Sequence, residues 1–514
     1  MNQPTPPQGG VPHPFWVKWH LMLSWRQGTL TFIAALTLAR LWLLFISPFD
    51  LGPDEAQYWS WSRDFAFGYF SKPPMIGWVI SLSNAVCGPG EACVRLSAPI
   101  FHGLTAMMLF FLVQKMFDDR LAFWTGVLYV TLPGVWFSSG LITTDVPLLF
   151  YWSVGLFALW SLRENPQWGW ASLLGLSIGL GLMSKYAMLY FIGGMFLAMI
   201  FDKQTRAALL SARGIATAVI AVTIFAPNLW WNAANDFSTV THTAANANVT
   251  SGNLFNIEKL FEFLGGQFGI FGPFLFGALL AAIGSFAIAW RKKDAIDARY
   301  LWLAAFVVRA LTVGITLGFI SRANANWAAT AYVAGTALTV VWLFKSRARA
   351  LLPASFFLHN AVGLLLIMFV VAPSLISTLG RENDFKRVRG WEEIGKFVEV
   401  QANEGRDGVA YTAVLTNDRL TYGELLYYAP DLEAPLTMWD ANGIAENHFE
   451  LTAPFTLAQD DNVLLVGRGR RVAAIAARFE TAIELDPISI EIGAGRTRDY
   501  TIYAVSGLRP ITEE

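Results

Sequence analysis

The chain has 514 residues, of which 54% are hydrophobic and only 15% charged, with a formal net charge of -1 and a mean hydropathy of +0.44. Soluble domains carry roughly 25% charged residues. The deficit, together with 21 Trp and 39 Phe, points to a polytopic membrane protein. No basic block long enough to hold nucleic acid is present, and two cysteines do not make a structural zinc site unaided.

The run Met1–Gly10 is polar and Pro/Gly-rich, with no basic stretch directly before a short apolar one. A cleavable signal peptide is therefore not expected, and residues 1–28 read as a short tail before a first span that inserts the chain. A span needs about 20 apolar residues. That window predicts spans near 29–47, 94–116, 121–140, 142–161, 168–184, 186–201, 214–231, 268–290, 300–320, 327–344 and 354–377. The total is about eleven within a domain 29–378. Residues 74–86 are too short to span and read as a helix lying at the interface.

Every second connection is basic: Lys18 and Arg26; Lys115 and Arg120; Arg163; Lys203, Arg206 and Arg213; Arg291–Lys293 and Arg299; Lys345, Arg347 and Arg349. The positive-inside rule puts these in the cytoplasm, with the N-terminus. A first loop at 48–93 and a large loop at 232–266 then face outward, as does everything after Pro373. Residues 379–514 alternate strand-like and helix-like runs: helix 391–400, strand 408–415, strand 462–467, helix 471–481 and strand 500–505. The fold class is mainly α, a polytopic helical membrane protein with an outward-facing C-terminal α/β domain.

Asp54, Glu55, Lys72, Asp145, Lys185, His242 and Arg322 all fall at outward span ends, although they did not set the orientation. Charged groups at a membrane boundary are costly to hold and read first as functional. Asp54-Glu55 suits a general base, or an electrostatic partner for an oxocarbenium-like centre; the bland reading is acidic N-capping of a short helix. Lys72, followed by two prolines, suits a phosphate; otherwise it snorkels. Asp145 could equally cap the helix that starts there, with Pro147 in its first turn. Lys185 interrupts two apolar runs and calls for an anionic partner. His242 lies among Asn246, Asn248 and Asn253 in a loop suited to sugar hydroxyls, though a lone His is more often structural. Tyr58 and Tyr69 of the first loop are aromatic candidates to bind a substrate. Cys87 and Cys93 flank Gly-Pro-Gly; in an oxidising space they would close a small disulfide turn, and otherwise they are buried thiols.

Four motifs carry a family resemblance. Asp-Glu at 54–55, Tyr-Phe-Ser-Lys-Pro-Pro at 69–74, Thr-Thr-Asp-Val-Pro at 143–147 and Leu-Met-Ser-Lys-Tyr at 182–186 resemble the GT-C superfamily of polyprenyl-phosphate-dependent glycosyltransferases. Within it, the chain is similar to the bacterial protein-mannosyltransferase-related group, which includes the aminoarabinose and galacturonosyl transferases of lipid A and its core. The resemblance spans residues 30–345. It implies a polyprenyl-phosphate-linked sugar donor, transfer with inversion, and a glycolipid acceptor such as lipid A or lipopolysaccharide core at the bacterial inner membrane. A protein acceptor is the alternative within the superfamily, and a lipid-linked sugar flippase the alternative outside it. The match makes Asp54 the catalytic aspartate with Glu55 beside it. It makes Lys72 the phosphate-binding lysine, with Asp145, Lys185 and His242 at the next outward ends. Two departures stand out. The aminoarabinose transferases carry a Glu directly before the loop lysine, where this chain has Ser71, and an Arg soon after the histidine, which Arg322 would have to replace. The resemblance leaves a divalent metal as a possible cofactor, with the missing Glu weakening any site for it shared with His242. The missing Glu also favours a uronic acid or neutral sugar over aminoarabinose.

Overall fold

The computed structural model describes residues 24–246, 255–493 and 495–509. The expected tail 1–28 therefore lies mostly outside the described residues, as do Asn248 and Asn253 of the large loop.

Among the described residues, eight helices are long and apolar enough to cross a membrane: Trp25–Phe45, Glu91–Met116, Asp145–Glu164, Ala212–Ala234, Pro273–Lys292, Ala298–Ile320, Ala325–Lys345 and Leu351–Val371. Two more expected spans are shorter apolar helices, Trp168–Ser184 and Tyr186–Phe201, separated where Lys185 adopts an extended backbone. The remaining one, expected at 121–140, is not continuous. It forms Asp119–Thr131 and Pro133–Ser138, because Pro133 lacks the amide that would continue the ladder. Asp145–Glu164 and Ala325–Lys345 are four-fifths buried and form the bundle's axis, whereas Trp25–Phe45 and Leu351–Val371 stand at its edge.

The large loop expected at 232–266 is mostly helical. Ala212–Ala234 runs on into it, and Ser238–Asn246 and Ile257–Phe271 occupy much of the rest. The turn into Pro273–Lys292 is made by Gly272 at φ +84°, where a Cβ would also stand 2.3 Å from His359 Nε2. Only glycine meets both demands.

The first loop holds two helices, Pro53–Ser62 and Met75–Cys87. Leu82 and Val86 of the second are exposed, as expected of an interfacial helix. Cys87 and Cys93 are joined as a disulfide with Cα atoms 5.8 Å apart.

The described residues of the C-terminal part form six strands: β1 Ala413–Thr416, β2 Leu436–Met438, β3 Val463–Gly467, β4 Phe479–Glu484, β5 Ile488–Gly493 and β6 Arg496–Leu508. Their order is β2-β1-β3-β6-β4, with β5 also on β6. β1 is parallel to β2 and β3, while β6 runs antiparallel to β3, β4 and β5. The helix expected over 471–481 ends at Ala476, and β4 begins at Phe479. Helix Arg419–Tyr428 was not expected from the sequence. It packs directly on the first-loop helix Pro53–Ser62. Asp50 and Leu51 tie the junction: Trp391 N donates to Asp50 Oδ2 at 2.8 Å, and Leu51 N donates to Tyr428 Oη at 2.7 Å. Leu51, Trp59, Trp391, Leu425 and Tyr428 share one core, so the first loop and the C-terminal part fold against each other.

Candidate active site

The first-loop helix begins with Gly52 as N-cap, Pro53 in the first helical position, then Asp54 and Glu55. Glu55 caps the helix: its Oε2 accepts from Gly52 N at 2.9 Å. Its carboxylate also accepts two guanidinium bonds from Arg95, at 2.9 and 2.7 Å, and the amide of Ile142 at 2.9 Å. Glu55 and Arg95 are 5% and 3% exposed. Both Glu55 oxygens are spoken for, so of the expected acidic pair this member is structural in its contacts.

Asp54, one residue earlier, points elsewhere. Its side chain is half exposed, with Oδ1 3.3 Å from both terminal nitrogens of Arg419 and Oδ2 3.9 Å from Arg387. Arg419 also donates to Gln57 Oε1 at 2.8 Å. It is the first residue of helix Arg419–Tyr428, whose N-cap Asp418 accepts from Leu420 N and Thr421 N. The C-terminal part thus delivers a capped, oriented guanidinium to the first loop's carboxylate.

Asp145 does not act as the N-cap. Its Oδ1 accepts from Lys185 Nζ at 2.7 Å and its Oδ2 from Asn326 Nδ2 at 2.8 Å. Three spans therefore meet at one carboxylate, and Lys185 has the anionic partner its position demands.

Lys72 closes a tight turn, its carbonyl accepting from Tyr69 N at 3.0 Å and its amide donating to Tyr69 O at 3.3 Å. The turn is anchored from below: Thr239 Oγ1 donates to Tyr69 O at 2.7 Å, and Asn228 Nδ2 donates to Phe67 O at 2.7 Å. Burial, with the nearby Lys185 ammonium, pushes the Lys72 amine down to about 8, opposed by Asp54 and Asp145. Among the described residues its Nζ makes no hydrogen bond or ion pair. A half-buried ammonium without a close carboxylate among the described residues is free to pair with an anion.

His242 stands edge-on to Phe70 at 5.9 Å. Burial, then the charges of Lys72 and Arg419, push its imidazole down to about 4. It is neutral at physiological pH. Tyr58 is buried with its phenol in the field of Asp54 and Asp145, and burial pushes its ionisation well up. It can serve only as a neutral hydrogen-bonding group.

Two expected members stand apart. Tyr69 stacks on Trp61 at 4.8 Å and spends its hydroxyl on the carbonyls of Trp61 and Asp64, so it supports the turn. Arg322 is exposed beside Lys259, and the charges acting on His242 are those of Lys72 and Arg419. Arg419 occupies the place expected of Arg322. Nothing near Arg419 in sequence marks it; only the Asp418 cap is legible there. Among the described residues no three His, Cys, Asp or Glu side chains form a metal-ligand set, and both carboxylates of the site are engaged by cations.

Residues 71–231 match the family model described as dolichyl-phosphate-mannose-protein mannosyltransferase. The chain is 33% identical over 429 residues to lipid A galacturonosyltransferase RgtD of Rhizobium johnstonii, covering 83% of this chain and 88% of that protein. It belongs to this glycosyltransferase family. A shorter match, 29% over 151 residues and about a quarter of each chain, is to an undecaprenyl phosphate-aminoarabinose arabinosyl transferase of Pseudomonas fluorescens. In fold, the chain superposes on ArnT from Cupriavidus metallidurans with a TM-score of 0.63 at 16% identity, over 95% of this chain and 100% of that one. The protein is thus a multi-pass membrane glycosyltransferase of GT-C fold. The family-model match takes in Lys72, Asp145 and Lys185 but neither Asp54 nor Arg419.

Proposed function

We propose that the protein transfers a hexuronic acid from a polyprenyl-phosphate donor to a lipid A-type glycolipid on the outer face of the bacterial inner membrane. The N-terminus is then cytoplasmic, and the C-terminal part, residues 379–514, is a periplasmic domain. One observation carries the reading of the sugar. Four cations, Lys72, Lys185, Arg387 and Arg419, face two carboxylates, Asp54 and Asp145, an excess of two positive charges. A polyprenyl phosphodiester of a uronic acid brings two negative charges; a neutral sugar brings one, and an aminosugar none in sum. The name of the Rhizobium johnstonii relative supports the same choice.

In this scheme Lys72 and Lys185 hold the donor phosphate. An oxygen of the acceptor attacks the anomeric carbon as the bond from that carbon to the phosphate oxygen breaks, with inversion. The polyprenyl phosphate leaves as a dianion that the two ammonium groups stabilise more strongly than the diester. A hydroxyl acceptor gives its proton to Asp54; a phosphate acceptor is already ionised and needs no base, so Asp54 then stabilises the oxocarbenium-like centre. Arg419, capped and held at Asp54, is the group we assign to the sugar carboxylate, where a planar fork matches a planar anion.

The test is reconstitution with polyprenyl-phosphate galacturonic acid and, separately, the glucose analogue. The uronate should be preferred at least tenfold, and Arg419→Gln should erase most of that preference while leaving glucose transfer little changed. Equal transfer of both sugars by the unmodified protein would refute the uronate assignment.

A further inference from the structure

Arg309 is the central residue of the 23-residue helix Ala298–Ile320, and the rest of that helix beyond Arg299 is uncharged. At 1.5 Å per residue it stands roughly 16 Å from either end, at mid-bilayer depth. It is exposed, and among the described residues it makes no hydrogen bond or ion pair. Its side chain lies in a groove of about 360 Å³ between this helix and Leu189–Phe201. Gly193 provides the floor: a Cβ there would stand 2.6 Å from Arg309 Nε. The walls are mostly apolar and open to lipid, with Phe196 62% and Ile200 65% exposed; the neutral hydroxyls of Thr312 in the lining and of Tyr190 nearby carry no charge to balance the guanidinium.

A guanidinium does not shed its proton in a protein, and an unpaired one in hydrocarbon is costly. Snorkelling does not remove that cost. The headgroups lie roughly 15 Å away, further than a side chain of a few ångströms can reach. A second copy of this chain cannot remove it either. Among the described residues every Asp and Glu on a spanning helix lies in a first or last turn. The complement must come from outside the chain, at the same depth.

We propose that this groove receives a transmembrane helix of another membrane protein that carries a carboxylate at mid-span. Gly193 leaves the room in which the Arg309 side chain lies along the groove, and from there Arg309 pairs with the partner's carboxylate in a bidentate fork. The site is remote from the cations of the outer face, so partner binding and sugar transfer are separable.

The test uses the full chain in nanodiscs of neutral phospholipid, with energy transfer to a labelled 23-residue Leu/Ala peptide bearing one central Glu, and the same peptide with Gln. The Glu peptide should bind at least tenfold more tightly than the Gln peptide. Arg309→Leu, which suits hydrocarbon and should insert normally, should abolish the difference, and Gly193→Leu should weaken the Glu peptide by filling the groove. Equal binding of the two peptides, or a preference that survives Arg309→Leu, overturns the proposal. So does loss of the preference when anionic phospholipid is added to the discs, which would make lipid phosphate the occupant.

Discussion

Adjacent residues in one motif have opposite tasks. Glu55 saturates its carboxylate on Arg95, Ile142 N and Gly52 N, while Asp54 faces Arg419 and Arg387. Glu55→Gln should therefore cost roughly 3–5 kcal/mol, because Arg95 is left buried without its counter-ion; a thermal melt in detergent reads it. Asp54→Asn should leave that melt unchanged and lower transfer by roughly 10²–10⁴ with donor affinity retained. Near-normal transfer by Asp54→Asn would remove the carboxylate from the mechanism. Lys72 sets a pH limit. Its amine, lowered from 10.5 to about 8, is charged below pH 8 and loses its proton above. Donor affinity should be level below pH 8 and fall above it, with the bend moved upward in the complex because bound phosphate holds the proton on. His242, already neutral above about 4, should put no limb into that profile between pH 5 and 7. In sequence both carboxylates of the motif looked alike. Their division of labour depends on Arg95, which arrives from a different helix.

At the scale of elements, the first loop is a rigid platform. Its two helices are closed off by the Cys87–Cys93 disulfide, and Tyr427 Oη donates to Pro89 O inside that turn at 2.7 Å. Replacing both cysteines by Ser should cost roughly 2–3 kcal/mol for so short a loop, and should loosen the contact with helix Arg419–Tyr428. Thiol labelling of the denatured, unreduced wild-type protein should find no free cysteine. The apolar windows located the spans well, since 20 consecutive apolar residues leave few alternatives. They missed the break at Leu132, because a window average does not register the one amide that Pro133 lacks. They also missed β2, β4 and β5, strands of three to six residues whose pairing is set by β1 and β6 rather than by their own pattern.

At the scale of the whole molecule, the candidate site is assembled where the helical bundle and the C-terminal part meet. Lys72, Asp145 and Lys185 come from the bundle and its first loop, Arg387 and Arg419 from beyond residue 380. Arg419→Ala should leave insertion intact and cut transfer of a uronate more than of a neutral sugar. The shared core of Leu51, Trp59, Trp391 and Leu425 means that deleting residues 379–514 should instead unfold the first loop, seen as new protease cleavage between residues 48 and 93. Reporter fusions after Arg349 and after Glu514 should report opposite sides of the membrane. A cytoplasmic signal at Glu514 would put the site on the wrong face for the proposed acceptor.

By itself the sequence determined the membrane character and where the long apolar helices fall, and it singled out Asp54, Lys72, Asp145 and Lys185 as candidates. Each follows from a local rule: hydrocarbon thickness, the cost of a charge at its boundary, and a family motif. The tertiary structure alone decided that Lys185 answers Asp145, that Glu55 answers Arg95, and that Arg419 joins Asp54. Those pairs are 40, 40 and 365 residues apart. Electrostatic partnership depends on distance in space, and no window along the chain contains it.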